Sequence, residues 1–162
     1  MIKVYVGDGL RIDVLRGNKF KNRSFGFLHF DSDKSAEQWC QCAPDFKQHD
    51  WLDDVDVFSL PLNLPINDDA IVELHLLNVK NKELFESEFL RPYGEAVKEA
   101  GGVPFVIATS HVVRIRGINR CNFFVLTQWP SFDAAKDWHL SGRYNLRTVQ
   151  GHRACIKNSR CG

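Results

Sequence analysis

The chain half-repeats itself, and a repeat constrains the fold more than any single motif does. Residues 1–59 read again at 101–158, and the second copy carries an extra segment in front. Val6, Arg16 and Gly17 match Val106, Arg116 and Gly117. After a one-residue difference in the loop, Phe25, Ser32, Ala36 and Trp39 match Phe124, Ser131, Ala135 and Trp138. Both copies follow one order: hairpin, short loop, Ser-capped helix ending near Trp, final strand.

In the first copy, Ile2–Val6 and Leu10–Leu15 flank the turn Gly7-Asp8-Gly9 and read as a hairpin. Phe25–Phe30 is a further strand. Ser32 caps a helix from Asp33 to Cys42, and Val55–Phe58 is a strand. Pro61 and Pro65 remove backbone donors and mark residues 61–69 as a linker. The second copy opens with Ile71–Val79, which alternates as a strand does. A helix follows from Lys82 to Ala100, with Phe85, Phe89, Tyr93 and Val97 on one stripe. Pro92 predicts a kink or a division in it, and Gly101-Gly102 ends it. Strands at Pro104–Thr109, continued at Val112–Ile115, and at Phe123–Trp129 come next. A helix at Phe132–Leu140 and a strand at Ala154–Lys157 close the copy.

That order, β-α-β-β-α-β, is the ferredoxin-like split motif. The predicted class is α+β with two ferredoxin-like units. Residues 1–60 form an incomplete unit without the leading strand and helix, and residues 70–158 form a complete one. The leading strand is central in such a sheet, so its absence leaves pairing groups unsatisfied. The second unit, a partner chain or further sequence is expected to fill the gap.

Charge excludes several function classes. Lys and Arg number 21 against 20 Asp and Glu, a net charge of +1 in 162 residues. Nothing here favours general binding to nucleic acid or to an anionic membrane. Val4–Leu10 and Arg23–Phe30 look like the paired aromatic signatures of an RNA-recognition motif. Only Arg11–Asn22 lies between them, too short for the helix and strand that fold needs. No apolar run reaches spanning length, and the opening residues lack signal-peptide order. The five cysteines are odd in number and irregular in spacing, and Cys40-x-Cys42 is not a zinc or redox pair. A reducing cytoplasm, no metal and no cofactor are the expectation.

The stretch Phe124–Tyr144 carries a family resemblance. Trp129-Pro-Ser-Phe-Asp-Ala-Ala-Lys-Asp-Trp138 followed by His-Leu-Ser-Gly-Arg-Tyr144 is similar to the hallmark of domain-of-unknown-function family 1330. Gly101-Gly102 fits the same pattern. The resemblance covers roughly residues 70–157, and residues 1–59 less closely. It implies the dimeric α+β barrel, in which two ferredoxin-like units meet sheet to sheet around a cavity. Relatives on that fold include cofactor-independent oxygenases, isomerases and haem-degrading enzymes. The family pattern has an Arg where Gly151 stands here; Arg147 and Arg153 are the nearest substitutes. In the first copy Phe46 stands near the place of the Tyr.

Alternation on Ile71–Val79 puts Val72, Leu74 and Leu76 on one face and Ile71, Glu73, His75 and Leu77 on the other. The first face suits helices. The second then points into the inter-sheet space, where a carboxylate beside an imidazole suits proton transfer or anion binding. Glu73 and His75 are therefore the candidate catalytic pair. His29 and Gln128 occupy matching positions in the two copies and are candidates to line the same space. The resemblance adds Trp138 and Tyr144, and Arg153 is placed to meet a ligand carboxylate. His111 and His139 have no sequence neighbour that suggests metal coordination. The predicted function is small-molecule binding in the cavity, with cofactor-independent isomerase, lyase or oxygenase chemistry as its catalytic form. The alternative is a non-catalytic dimerisation or regulatory protein. A homodimer or an intrachain pseudo-dimer is expected.

Overall fold

The computed structural model describes residues 3–6, 26–42, 55–67, 69–141 and 156–157. The strands are β1 (Lys3–Val6), β2 (Gly26–His29), β3 (Val57–Ser59), β4 (Ile71–Val79), β5 (Val103–Thr109), β6 (Val113–Arg116), β7 (Phe123–Trp129) and β8 (Ile156–Lys157). The helices are α1 (Asp33–Cys42), α2 (Lys82–Phe85), α3 (Arg91–Glu99) and α4 (Phe132–Leu140), with a π-helical segment Glu86–Leu90 joining α2 to α3. The fold is mixed α+β, and every described strand pair is antiparallel. By contacts the chain divides into Met1–Ser59 with Val113–Ile118, and Leu60–Val112 with Asn119–Gly162.

In the first unit β1 pairs with β2 from Lys3↔His29 to Val6↔Gly26. Ser32 Oγ accepts the Ser35 N–H at 3.2 Å and starts α1. Ala36 is buried, and Trp39 is half-buried with its ring 5.9 Å from Phe30. Ser59 donates its hydroxyl to Asp33 Oδ1 at 2.7 Å, tying β3 to the start of α1. The sequence reads Val112–Ile115 as a continuation of the preceding strand. Instead β6 pairs with β3, Val57↔Arg116 to Ser59↔Val113, and groups with the first unit. A short strand far along the chain thus satisfies pairing groups that the incomplete copy leaves open.

The second unit holds a four-stranded sheet in the order β5-β7-β4-β8. Its longest ladder runs from Ile71↔Trp129 to Leu77↔Phe123, so the leading strand β4 lies inside the sheet. One face carries the core. Phe85, Phe89, Tyr93 and Val97 are buried there as the stripe predicted, with Leu77, Val79, Phe123, Val125, Trp129, Ala135 and Trp138. Phe85 stacks on Phe89 at 5.0 Å, Phe89 on Tyr93 at 5.6 Å, and Phe123 meets Phe85 edge-on at 5.0 Å.

The π-helical segment has a local cause. Pro92 has no N–H, and its ring would clash with the carbonyl four residues back in an α-helix. The wider turn relieves this, and Arg91 N–H reaches back to Glu86 O instead. The same turn keeps the stripe straight. Steps of four residues drift about 40° each on a 3.6-residue helix, and a wider turn cancels part of that drift. Gly101, at φ +86°, then closes the helix. Its N–H meets Lys98 O at 3.0 Å while Gly102 N–H meets Val97 O at 2.9 Å, the double bond of a Schellman end.

The repeat persists in three dimensions. Lys3↔His29 in the first unit corresponds to Val103↔Gln128 in the second. Ser131 accepts Ala134 N–H at 3.1 Å as Ser32 does for Ser35, and Ala135 is buried as Ala36 is. Trp138 lies 5.7 Å from Trp129, matching Trp39 on Phe30. The copies part where β5 shifts register between Val103 and Ile107. Phe105 there adopts φ 62° and lays its ring over Gly94 of α3, where any Cβ would collide with it.

The segment read as a linker belongs to the second unit. Asn63 N–H donates to Val106 O at 2.9 Å. Gln128 Oε1 accepts Asn67 N–H at 2.6 Å, and Gln128 Nε2 donates to Pro65 O at 3.1 Å. Gln128 is thus buried and engaged with this strap.

Two stability outcomes follow from packing. Trp138→Ala is expected to cost roughly 3–5 kcal/mol and Trp39→Ala clearly less, because only Trp138 is sealed in the core. Gly94→Ala is expected to destabilise by roughly 1–3 kcal/mol despite the better helix propensity of Ala. Urea unfolding of each variant measures both; a stabilised Gly94→Ala protein would refute the Phe105 contact.

Candidate functional site

A buried carboxylate organises the polar part of the core. Glu73, His75, Leu77 and Val79 share one face of β4, opposite Thr127, Val125 and Phe123 of β7. Leu77, Val79, Val125 and Phe123 belong to the helix-covered core. The side chain of Glu73 is 5% exposed, yet both oxygens are engaged. Oε2 accepts the indole N–H of Trp129 at 2.8 Å. Oε1 meets His75 Nε2 at 2.7 Å and His139 Nε2, from α4, at 2.8 Å. The Tyr93 hydroxyl lies 2.9 Å from Thr127 Oγ1 and 3.4 Å from His75 Nε2, and its ring meets the His75 ring edge-on.

This geometry fixes the protons. An ionised carboxylate only accepts, so both imidazoles donate Nε2–H to it. In a neutral ring the lone pair then sits on Nδ1. Neither His75 nor His139 has a hydrogen-bond partner at Nδ1 among the described residues. Their side chains are 21% and 31% exposed, so water reaches the rings but scarcely reaches the carboxylate. Burial pushes the Glu73 carboxyl upward. The hydrogen bonds from His139 and His75, with their charge, outweigh burial and hold it well below the usual carboxylate range. A carboxylate that holds an imidazole by one ring nitrogen and leaves the other without a protein partner among the described residues can support general-base chemistry.

The structure inverts the sequence reading of β4. Glu73 and His75 face the helices, and Val72 is an exposed member of the other face. The reason is satisfaction: Trp129 and His139 complete the bonds of Glu73, so the polar pair enters the core without orphaned groups. Alternation counts apolar side chains and sees none of these partners.

The other candidates separate. His139 joins the pair although no sequence neighbour pointed to it; the signal was its place one residue after the buried Trp138. Trp138 itself is buried against Trp129 and Tyr93. Gln128 lies on the opposite face, where its amide holds the strap. His29 is exposed on β2 of the first unit. Tyr144 and Arg153 lie outside the described residues.

Among the described residues no three His, Cys, Asp or Glu groups are arranged to hold a metal ion. Nor is any described helix long and apolar enough to cross a membrane. Comparison of the chain with family models, curated proteins and solved structures finds no match.

A depressed carboxyl makes folding pH-dependent with a definite sign. Glu73 contributes stability above its unfolded value of about 4.3, and that stability is lost as pH falls through the lower folded value. Glu73→Gln is expected to destabilise by roughly 1.5–3 kcal/mol near neutral pH. Its deficit against the parent protein should shrink below pH ~4. Urea titrations at several pH values measure this; a deficit that grows on acidification would contradict the assignment.

Proposed function

We propose that the second unit is a ferredoxin-like domain that binds a small molecule and moves a proton with His75 and His139, oriented by Glu73. The reaction class is a cofactor-independent isomerisation or elimination, in which one imidazole removes a proton and its partner returns one. The observation that carries this reading is the convergence of both Nε2 atoms on a single buried Glu73 oxygen, with both Nδ1 atoms left unpartnered among the described residues. An imidazole held this way is oriented before a ligand arrives, which spares the cost of ordering it. The strand order β5-β7-β4-β8 supports the ferredoxin-like assignment, since it places the leading strand between the third and the last.

A second reading has its own observation. On the opposite face of β4, Val72 is 37% exposed, and Leu74 and Leu76 are half-buried. Such a surface suits the sheet-to-sheet packing of the dimeric α+β barrel, as the resemblance to family 1330 implies. In that case the chain works as an assembly or regulatory protein.

The Trp129 indole N–H, bonded to Glu73, is a reporter that separates the two. Small-metabolite mixtures added to nitrogen-15-labelled full chain should shift this resonance and the His139 ring together, and Glu73→Gln should remove the response. Solvent deuterium should then enter a C–H of the bound compound faster than without protein, by about 10²–10⁴-fold. If no compound moves either resonance and the chain sediments as a tight dimer, the assembly reading replaces the first.

A further inference from the structure

The strap over residues 61–67 is lightly attached. Every residue of it except Ile66 is exposed, the leucines Leu62 and Leu64 included. It therefore buries little apolar surface and is held through its backbone. Val106 O, on the edge strand β5, takes Asn63 N–H at 2.9 Å and Leu64 N–H at 3.4 Å. Gln128 on β7 supplies both of the other bonds, Oε1 from Asn67 N–H at 2.6 Å and Nε2 to Pro65 O at 3.1 Å. Pro61 and Pro65 have no N–H to add. Among the described residues the attachment thus has two points, and one of them is a single side-chain amide.

The sheet under the strap is built differently. β7 is laddered on both sides, to β4 and to β5, and Leu126, the next residue on the Gln128 face, is fully buried. Gln128 is itself buried, and the strap supplies all the hydrogen-bond partners of its amide among the described residues. Once the strap leaves, water takes both places, so opening orphans no buried polar group. A segment with few buried apolar contacts and exposed hydrogen bonds opens at lower free energy than ladders of this kind. We infer that residues 61–67 are a lid latched by Gln128, which lifts from the sheet as one piece while the sheet and its helices stay folded. Val72, the partner of Gln128 across the ladder, is already exposed on this face. The lid gives the face a closed form and a more open one. It is independent of the reaction proposed for Glu73, whose side chain lies on the other face.

Amide hydrogen exchange of the full chain, read residue by residue by NMR, tests this. In the unaltered protein the Asn63 and Asn67 N–H groups should be protected to the same degree. Both should exchange at least about a hundredfold faster than the protected amides of the β4–β7 ladder. Low concentrations of urea should speed both equally and with a shallow dependence, the mark of one small opening. Gln128→Met removes the latch at similar size, and Gln128→Glu keeps the shape but loses the donor to Pro65 O. Each should speed both strap amides by about tenfold and leave the ladder amides unchanged. Asn63 is the deciding reporter, because its bond goes to Val106 and not to Gln128. Acceleration of Asn67 alone, no acceleration in either variant, unprotected strap amides, or strap amides that exchange only together with the ladder overturns the inference. If neither variant folds, the rates and urea dependence of the unaltered protein decide it.

Discussion

One buried carboxylate ties the second unit together. Glu73 sits on the central strand, takes the Trp129 N–H from the neighbouring strand and the His139 Nε2–H from the helix that follows it. A charged group 5% exposed is a heavy liability unless its bonds are made. Here both oxygens are used, so sheet and helix are held in one relative position. Any change that leaves Glu73 without these donors exposes the full desolvation cost of a buried charge. The arrangement gives specificity to a core whose remaining contacts are interchangeable aromatic and aliphatic surfaces.

The aromatic wall around the cluster has a complementary role. Tyr93 touches the His75 ring edge-on and contacts Trp138, which in turn lies against Trp129. Glu73 beside them is nearly sealed, while the two imidazoles bonded to it are partly exposed. A low-dielectric wall strengthens each hydrogen bond to Glu73. It also makes the core intolerant of uncompensated charge. Packing and chemistry share the same side chains.

The two copies show how one pattern serves different ends. Both use a serine cap, a buried alanine and a tryptophan resting on an aromatic of the preceding strand. The first copy has Cys40 where the second has His139, and among its described residues no strand corresponds to β4. The described residues of the two copies thus share a packing scheme, while the Glu73 cluster lies in the second.

Local rules made much of this fold legible. The stripe Phe85-Phe89-Tyr93-Val97, the disruption at Pro92, the Gly101-Gly102 helix end and the serine caps all follow from residue type and spacing, because each depends on neighbours a few positions away. The presence of Glu73 and His75 on one face of a strand was equally local. Which face met the helices was not. It turned on Trp129 and His139, which lie 56 and 66 positions from Glu73 and satisfy it only once the sheet and α4 are assembled. The pairing of β6 with β3, and the capture of the strap by Gln128, are likewise long-range. Sequence determined the elements and the candidate pair; tertiary structure decided its surroundings, because a buried polar group is admitted only by partners that folding brings to it.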